Sequence, residues 1–132
     1  MKTKEQILHG DKLICEFLGG KIEEVWVVNR ISEYAWKGKV AHEWRKNKLK
    51  ISIGEAILVG QLEFNKSHDW LMEVVDKIET MDYGFKLCRK VAEVYIDSTK
   101  ETIIHVKEDS RLNSLYAAVV QFIEYFNNLK QK

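Results

Sequence analysis

The residues best suited to ligand chemistry lie between positions 36 and 50, where two tryptophans accompany six basic side chains and a single acid. Cationic side chains bind phosphate oxygens and indole rings stack on flat bases, so this combination favours a small nucleotide-type anion as ligand. The side chains that we expect to form such a pocket, between subunits of a homo-oligomer, are Trp36, Lys37, Lys39, Trp44, Arg45 and Lys48. The competing interpretation is a solvated hairpin whose lysines keep a sheet edge from pairing with other chains.

The tryptophans of this region also support a different function, in which the chain covers the active surface of a protein partner. Large aromatic side chains often anchor such interfaces. The anchors that we expect are Trp26, Trp36 and Trp44. On the sequence alone, both interpretations stay open.

The distribution of charge bears on the class of partner. The formal net charge of the 132-residue chain is only +1, which argues against a protein that binds long nucleic acids. Charge is nevertheless segregated, because residues 55–82 carry seven acids against two lysines. In a homo-oligomer, the basic stretch of one subunit could meet this acidic stretch of another. The alternative is an acidic helix face that is simply solvated.

Signals of catalysis and of metal binding are weak. His68 is followed by Asp69, which could orient its ring, but the start of a helix explains the pair without catalysis. His42 lacks the second histidine of a helical zinc site, and Cys15 and Cys88 form no paired motif. We therefore expect no catalytic residues, no metal and no cofactor. A small enzyme whose site is assembled from scattered residues is the remaining alternative.

Three amphipathic helices are predicted to position these residues. The clearest covers residues 67–79, begins at a Ser67 cap and repeats apolar side chains at helical spacing. A first helix is predicted over residues 3–18, with Thr3 as its cap, and a last one follows a cap at residues 109–110 and ends near residues 127–128.

Alternating polarity and β-branched residues predict strands between the helices. The expected segments are 25–28, a hairpin turning at Gly38, 49–53, 85–89 continued by 91–96, and 102–106 after a polar turn at 97–100. The simplest layered arrangement of these elements is an α+β fold, in which an antiparallel sheet is flanked by three amphipathic helices as an alpha-beta-alpha sandwich.

Length and composition predict one domain over residues 1–132, with residues 21–60 as a strand-rich insertion. No apolar run approaches the ~18 residues that a membrane span needs, and we expect no targeting segment. The two unpaired cysteines fit a cytoplasmic protein.

Three segments of the sequence carry a resemblance. They are DKLICEFLG at residues 11–19, WLMEVVDKI at 70–78 followed by the hairpin, and SLYAAVVQFIEY at 114–125. In this order they resemble the small phage-encoded alpha-beta-alpha sandwich domain family, whose members are phage and prophage proteins mostly without an assigned function. The resemblance implies helices on a central sheet and a phage origin, and it leaves residues 21–60 unmatched.

From the resemblance and the basic aromatic stretch together, we expect a non-enzymatic phage accessory protein that acts in the host cytoplasm. It would counter a host defence system by capturing a small anionic ligand of nucleotide type. The alternative within this interpretation is an inhibitor that binds and blocks a host protein.

Overall fold

The computed structural model describes residues 3–27, 31–48, 56–59 and 62–130. Contacts within the chain divide it into two compact units, Lys2–Leu62 and Glu63–Lys132, which we call the N-terminal unit and the C-terminal unit. The expectation of one domain with an insertion stays a prediction, because compactness alone does not tell whether either part folds independently.

The described part of the N-terminal unit contains two helices and one antiparallel sheet. Its elements are α1 (Lys4–Leu18), β1 (Lys21–Val27), β2 (Ile31–Lys37), α2 (Lys39–Lys48) and β3 (Ala56–Leu58). The strands lie in the order β1-β2-β3. Helix α1 contacts β1, and helix α2 contacts β2 and β3.

Helix α1 begins at a capping box, which confirms the predicted Thr3 cap. The Thr3 hydroxyl accepts a hydrogen bond from the Gln6 amide at 3.1 Å, and the Gln6 side chain accepts one from the Thr3 amide at 2.9 Å. Two amide groups at the start of the helix are thereby satisfied. The chain leaves α1 at Gly19, whose φ of 119° is in the region that favours glycine.

Residues 39–48 form a helix, so the prediction of a hairpin turning at Gly38 is wrong. Gly38, with a φ of 125°, turns the chain from β2 directly into α2. Ala41 and Trp44 of α2 are three residues apart and both buried, which is the spacing of one helix face. The polar residues around them hide this pattern in the sequence, but burial follows the helical period. The strand expected at residues 49–53 lies outside the described residues.

The C-terminal unit alternates helices with a three-stranded meander. Its elements are α3 (His68–Glu79), β4 (Tyr83–Cys88), β5 (Val91–Ile96), β6 (Thr102–Lys107) and α4 (Arg111–Lys130). The strands are antiparallel and lie in the order β4-β5-β6. This confirms the predicted hairpin of the last two strands, whereas segments 85–89 and 91–96, predicted to continue one another, belong to two paired strands.

Helix α3 confirms the clearest prediction made from the sequence. The Ser67 hydroxyl accepts a hydrogen bond from the Trp70 amide at 3.3 Å, and Asp69 places a negative charge in the first turn, at the positive end of the helix dipole. The apolar face is buried and consists of Trp70, Leu71, Val74, Val75 and Ile78.

Both helices of the C-terminal unit lie on one face of its sheet. Helix α4 contacts all three strands, and α3 contacts α4 and β4. The buried strand residues Ala92, Val94 and Val106 belong to this covered face. Across residues 62–130, no helix of the unit packs on the opposite face, which we call the open face.

A buried serine ties α4 to the meander. The fully buried Ser114 hydroxyl donates a hydrogen bond to the Lys90 carbonyl oxygen, and it accepts one from the Glu108 amide at 2.8 Å. The helix begins at a Ser110 cap, whose hydroxyl accepts from the Asn113 amide at 3.1 Å, as predicted. These contacts fix the start of α4 against the ends of two strands.

The α+β class is confirmed. The described residues form four helices and two three-stranded antiparallel sheets, where the sequence predicted three helices around one sheet. The additional helix is α2, which follows Gly38 directly where the sequence predicts a hairpin. None of the helices in the described part of the chain is both long and apolar enough to cross a membrane.

Candidate ligand-binding face of the C-terminal sheet

The structure brings the two tryptophans of the basic stretch together, and both pack in the interior of the N-terminal unit. Trp36 is 0% exposed, and its indole nitrogen donates a hydrogen bond to the Gly19 carbonyl oxygen at 2.8 Å. Trp44 is 9% exposed, and its ring centroid lies 6.1 Å from that of Trp36. Both rings belong to the interior of the N-terminal unit, so neither presents a free face for stacking in this conformation.

The described lysines of the same stretch differ in their surroundings. Lys37 Nζ lies 2.8 Å from Glu23 Oε2 and donates a hydrogen bond to it. This ion pair lowers the pKa of the Glu23 carboxyl. Lys39 is exposed at the first position of α2. An anion would therefore have to compete with Glu23 for Lys37.

The side chains of Trp26, Arg45 and Lys48 lie outside the described part of the structure. The ligand-binding and partner-binding roles expected for the basic stretch therefore stay predictions. What the structure adds is a structural role for Trp36 and Trp44, which sequence composition does not distinguish from ligand binding.

The remaining candidates from the sequence have simple explanations. His68 is exposed at the first position of α3, where the Ser67 cap accounts for the helix start. Cys15 is 0% exposed, and burial raises the pKa of its thiol, which keeps the thiol protonated and unreactive. Within the described residues, no three His, Cys, Asp or Glu side chains are grouped closely enough to hold a metal ion.

The open face of the C-terminal sheet brings together functional groups that are distant in sequence. The pairing of the strands aligns them in two neighbouring rows. From β4 to β6, the first row consists of Lys86, Glu93 and His105. The second row consists of Gly84, Tyr95 and Thr102. Together they provide a cation, an anion, an imidazole, an aromatic ring and a hydroxyl.

A depression of about 450 Å³ lies on this face. It is lined by Phe85, Lys86, Glu93, Tyr95, Lys100 and Thr102. The volume is within the range of roughly 300–1,000 Å³ that small-molecule sites occupy. Its lining combines an outward-facing ring with charged and hydroxyl groups.

Tyr95 lies across the sheet above Gly84. A Cβ atom added at Gly84 would be 2.5 Å from the Tyr95 hydroxyl oxygen and 2.8 Å from Cε2, closer than van der Waals contact allows. Only glycine leaves room for the ring in this position, an arrangement that also shields the glycine backbone. One side of the ring therefore rests on the β4 backbone.

Glu93 is held by its neighbour in the first row. His105 Nδ1 lies 2.9 Å from Glu93 Oε1, and because a carboxylate can only accept, the imidazole nitrogen is the donor. The Glu93 side chain is 27% exposed and the His105 side chain 60%. In the described part of the chain, Glu93 Oε2 accepts no hydrogen bond.

Two lysines border the depression, and they differ in whether they form an ion pair. Within the described residues, the exposed Lys86 ammonium makes no hydrogen bond or ion pair. Lys100 forms an ion pair with Asp97 at 2.8 Å, which raises its pKa, and its Nζ lies 5.5 Å from the Tyr95 ring centroid. Lys86 is therefore the cation more readily available to a ligand.

The turn that carries Lys100 is fixed by Asp82, just before β4. The two carboxylate oxygens of Asp82 accept hydrogen bonds from the amide and hydroxyl of Ser98 at 3.0 and 2.8 Å. Lys100 itself has a φ of 63°, an uncommon value for a residue with a side chain. One end of the depression is thus held in a defined backbone conformation.

The sequence did not reveal this site, and the reason is the register of β5 and β6. In the structure Tyr95 pairs with Thr102, and regular pairing from there would set Glu93 opposite Ile104. A bulge between Val94 and Tyr95 shifts the register by one residue and places His105 opposite Glu93. Lys86 could have been found by predicting that β4 pairs with β5, because this pairing sets Lys86 opposite Glu93.

No protein-family model, no curated protein and no solved structure matches this chain.

Proposed function

We propose that the protein is a non-enzymatic binding protein that captures a small anionic ligand on the open face of its C-terminal sheet. The observation that carries the proposal is the depression in which Lys86, Lys100, Tyr95 and Thr102 converge. The proposal keeps the ligand class expected from the sequence but moves the site from the basic tryptophan stretch to this face.

The polar groups of the depression suit an anion. Lys86 brings an ammonium group with no partner in the described structure, and Thr102 adds an exposed hydroxyl. The one acid of the lining, Glu93, is hydrogen-bonded to His105. Charge-assisted hydrogen bonds from lysine to phosphate or carboxylate oxygens are stronger than those between neutral groups, so Lys86 is expected to contribute most.

The biological role follows from the resemblance to phage-encoded domains. In a phage setting, a protein that captures a nucleotide-type signal in the host cytoplasm would counter a host defence system. The alternative role, blocking a host protein, has less support because two of its three expected anchors, Trp36 and Trp44, are buried.

An enzyme is the second candidate, and one observation favours it. The hydrogen bond from His105 to Glu93 is of the kind that orients a catalytic imidazole, since it leaves Nε2 as the acceptor. A catalytic role would require turnover of the captured compound that His105→Ala abolishes.

Isothermal titration calorimetry tests the proposed function. The probes are inorganic phosphate and a panel of linear and cyclic nucleotides, each titrated into the full chain. We expect saturable binding that Lys86→Gln weakens at least about tenfold, since a hydrogen bond to a charged group contributes roughly 1.5 kcal/mol or more. Binding should also weaken as salt is added, because the lysines are exposed.

Lys107→Gln is the matched control, because it removes the same charge from the same sheet outside the depression. It should leave the affinity within about twofold. Equal loss in both variants, or binding lost only in Lys39→Gln, would overturn the location. Absence of binding by every probe, together with stable capture of a host protein, would favour the inhibitor.

A further inference from the structure

We infer that the ligand carries a nucleobase that stacks on the outward face of Tyr95, so that Tyr95 and Gly84 form a stacking platform. This inference rests on the proposed function and specifies the ligand. An anion alone needs only cations, whereas the arrangement of Tyr95 and Gly84 provides a flat apolar surface beside them.

The platform is a consequence of glycine in β4. Because Gly84 has no side chain, the Tyr95 ring lies over the neighbouring strand instead of standing upright from the sheet. One side of the ring is occupied by the β4 backbone, and the other faces the depression that the ring lines. Stacking is independent of the identity of the base, because every base has a π face.

The neighbouring row explains why the planar group should be a base and not a plain hydrocarbon ring. Glu93 lies two positions before Tyr95 on the same face of β5, so it is next to the platform. Its Oε1 accepts from His105, and its Oε2 accepts from no described residue. The N–H groups of a nucleobase would satisfy this oxygen, and a phenyl ring has none to offer.

Two lysines accompany the ring, and the ammonium group of Lys100 lies over it, where a stacked base would displace it. Lys100 Nζ lies 5.5 Å from the Tyr95 centroid, and Lys86 is the row neighbour of Glu93. Ring, acceptor and cations, the three groups that a nucleoside phosphate requires, therefore line one depression.

Three probes separate the parts of this inference: a nucleoside monophosphate, ribose 5-phosphate, which lacks the base, and phenyl phosphate, which has a ring without N–H groups. We expect the nucleotide to bind about tenfold or more tightly than either of the others, as measured by calorimetry on the full chain. Tyr95→Ala should weaken the nucleotide about tenfold and leave ribose 5-phosphate unchanged. Tyr95→Phe keeps the ring and should retain the affinity.

Gly84→Ala tests the support of the platform. The added Cβ displaces the ring, so the nucleotide should again weaken about tenfold while ribose 5-phosphate does not. If this variant unfolds, which circular dichroism and thermal melting would reveal, the Tyr95→Ala and Tyr95→Phe pair carries the test by itself.

The outcomes distinguish the two proposals. Equal affinity for all three probes, with Lys86→Gln still weakening each, would overturn the stacking platform and leave anion capture intact. Phenyl phosphate binding as tightly as the nucleotide would overturn the nucleobase. No binding of any probe would overturn the proposed function as well.

Discussion

The aromatic side chain considered for ligand binding is buried in the N-terminal unit and lies on an open sheet face in the C-terminal unit. In the N-terminal unit, the basic stretch has the composition of a ligand site, yet Trp36 donates its N–H to Gly19 and packs against Trp44 out of contact with solvent. In the C-terminal unit, Tyr95 lies above a glycine, on a sheet face that no helix within residues 62–130 covers. The role of an aromatic ring depends on what packs against its two faces, and amino-acid composition does not show this.

The largest effect that we expect comes from Trp36→Ala. The variant removes a fully buried indole and leaves the Gly19 carbonyl oxygen without its donor, so unfolding free energy should fall by about 3–5 kcal/mol. Urea denaturation followed by circular dichroism measures the change. Trp36→Phe keeps most of the packing and should cost less.

Tyr95→Ala provides the counterpart in the C-terminal unit, with a smaller loss of stability because this side chain is only partly buried. The contrast between the units would be broken if Trp36→Ala left stability unchanged and abolished ligand binding. In that case the tryptophan, and not the tyrosine, would be the ring that contacts the ligand.

A smaller effect is expected from Ser114→Ala on the covered face of the C-terminal sheet. Loss of the hydroxyl leaves the Lys90 carbonyl oxygen and the Glu108 amide without this partner, which should cost about 1–3 kcal/mol. Thermal unfolding should show a lower Tm. Gln121→Ala, at an exposed position of the same helix, is the control and should change the Tm little.

This variant sharpens the comparison between the two faces of the C-terminal sheet. If the open face is a ligand site and the covered face a core, Ser114→Ala should lower stability without altering ligand affinity at a temperature where the protein is folded. A large loss of affinity in the folded variant would show that the two faces are coupled.

The smallest effect is expected at the exposed pair of Lys37 and Glu23. The hydrogen bond from Lys37 lowers the pKa of Glu23 in the folded chain, so the stabilisation is complete above the unfolded pKa and is lost as pH falls through the lower folded value. Glu23→Gln should therefore flatten the acid side of the stability profile slightly. The measurement is Tm against pH in low salt.

High salt should remove most of the difference between Glu23→Gln and the parent protein. If Lys37→Gln instead abolished ligand binding without changing this profile, Lys37 would belong to a ligand site as the sequence suggested. The basic stretch of the N-terminal unit would then regain its expected function.

Local sequence patterns predicted the elements whose signals lie within a few residues. Ser67 caps α3, and the apolar spacing that follows defines its buried face, so both could be read directly. The hairpin of β5 and β6 followed from alternation around a polar turn. Helix α2 could not be predicted in the same way, because Ala41 and Trp44 are the only buried side chains among those described in it, and many of its residues are polar.

By itself the sequence determined the α+β class, the caps of α1, α3 and α4, and the two strands of the last hairpin. These depend on hydrogen bonds and apolar periods between residues that are close in the chain. Only the tertiary structure decided that Trp36 is buried and that a bulge sets His105 beside Glu93. It also decided that Tyr95 rests on Gly84. These contacts depend on strand register and on packing between distant residues, and a shift of one position in a strand exchanges its inward and outward faces.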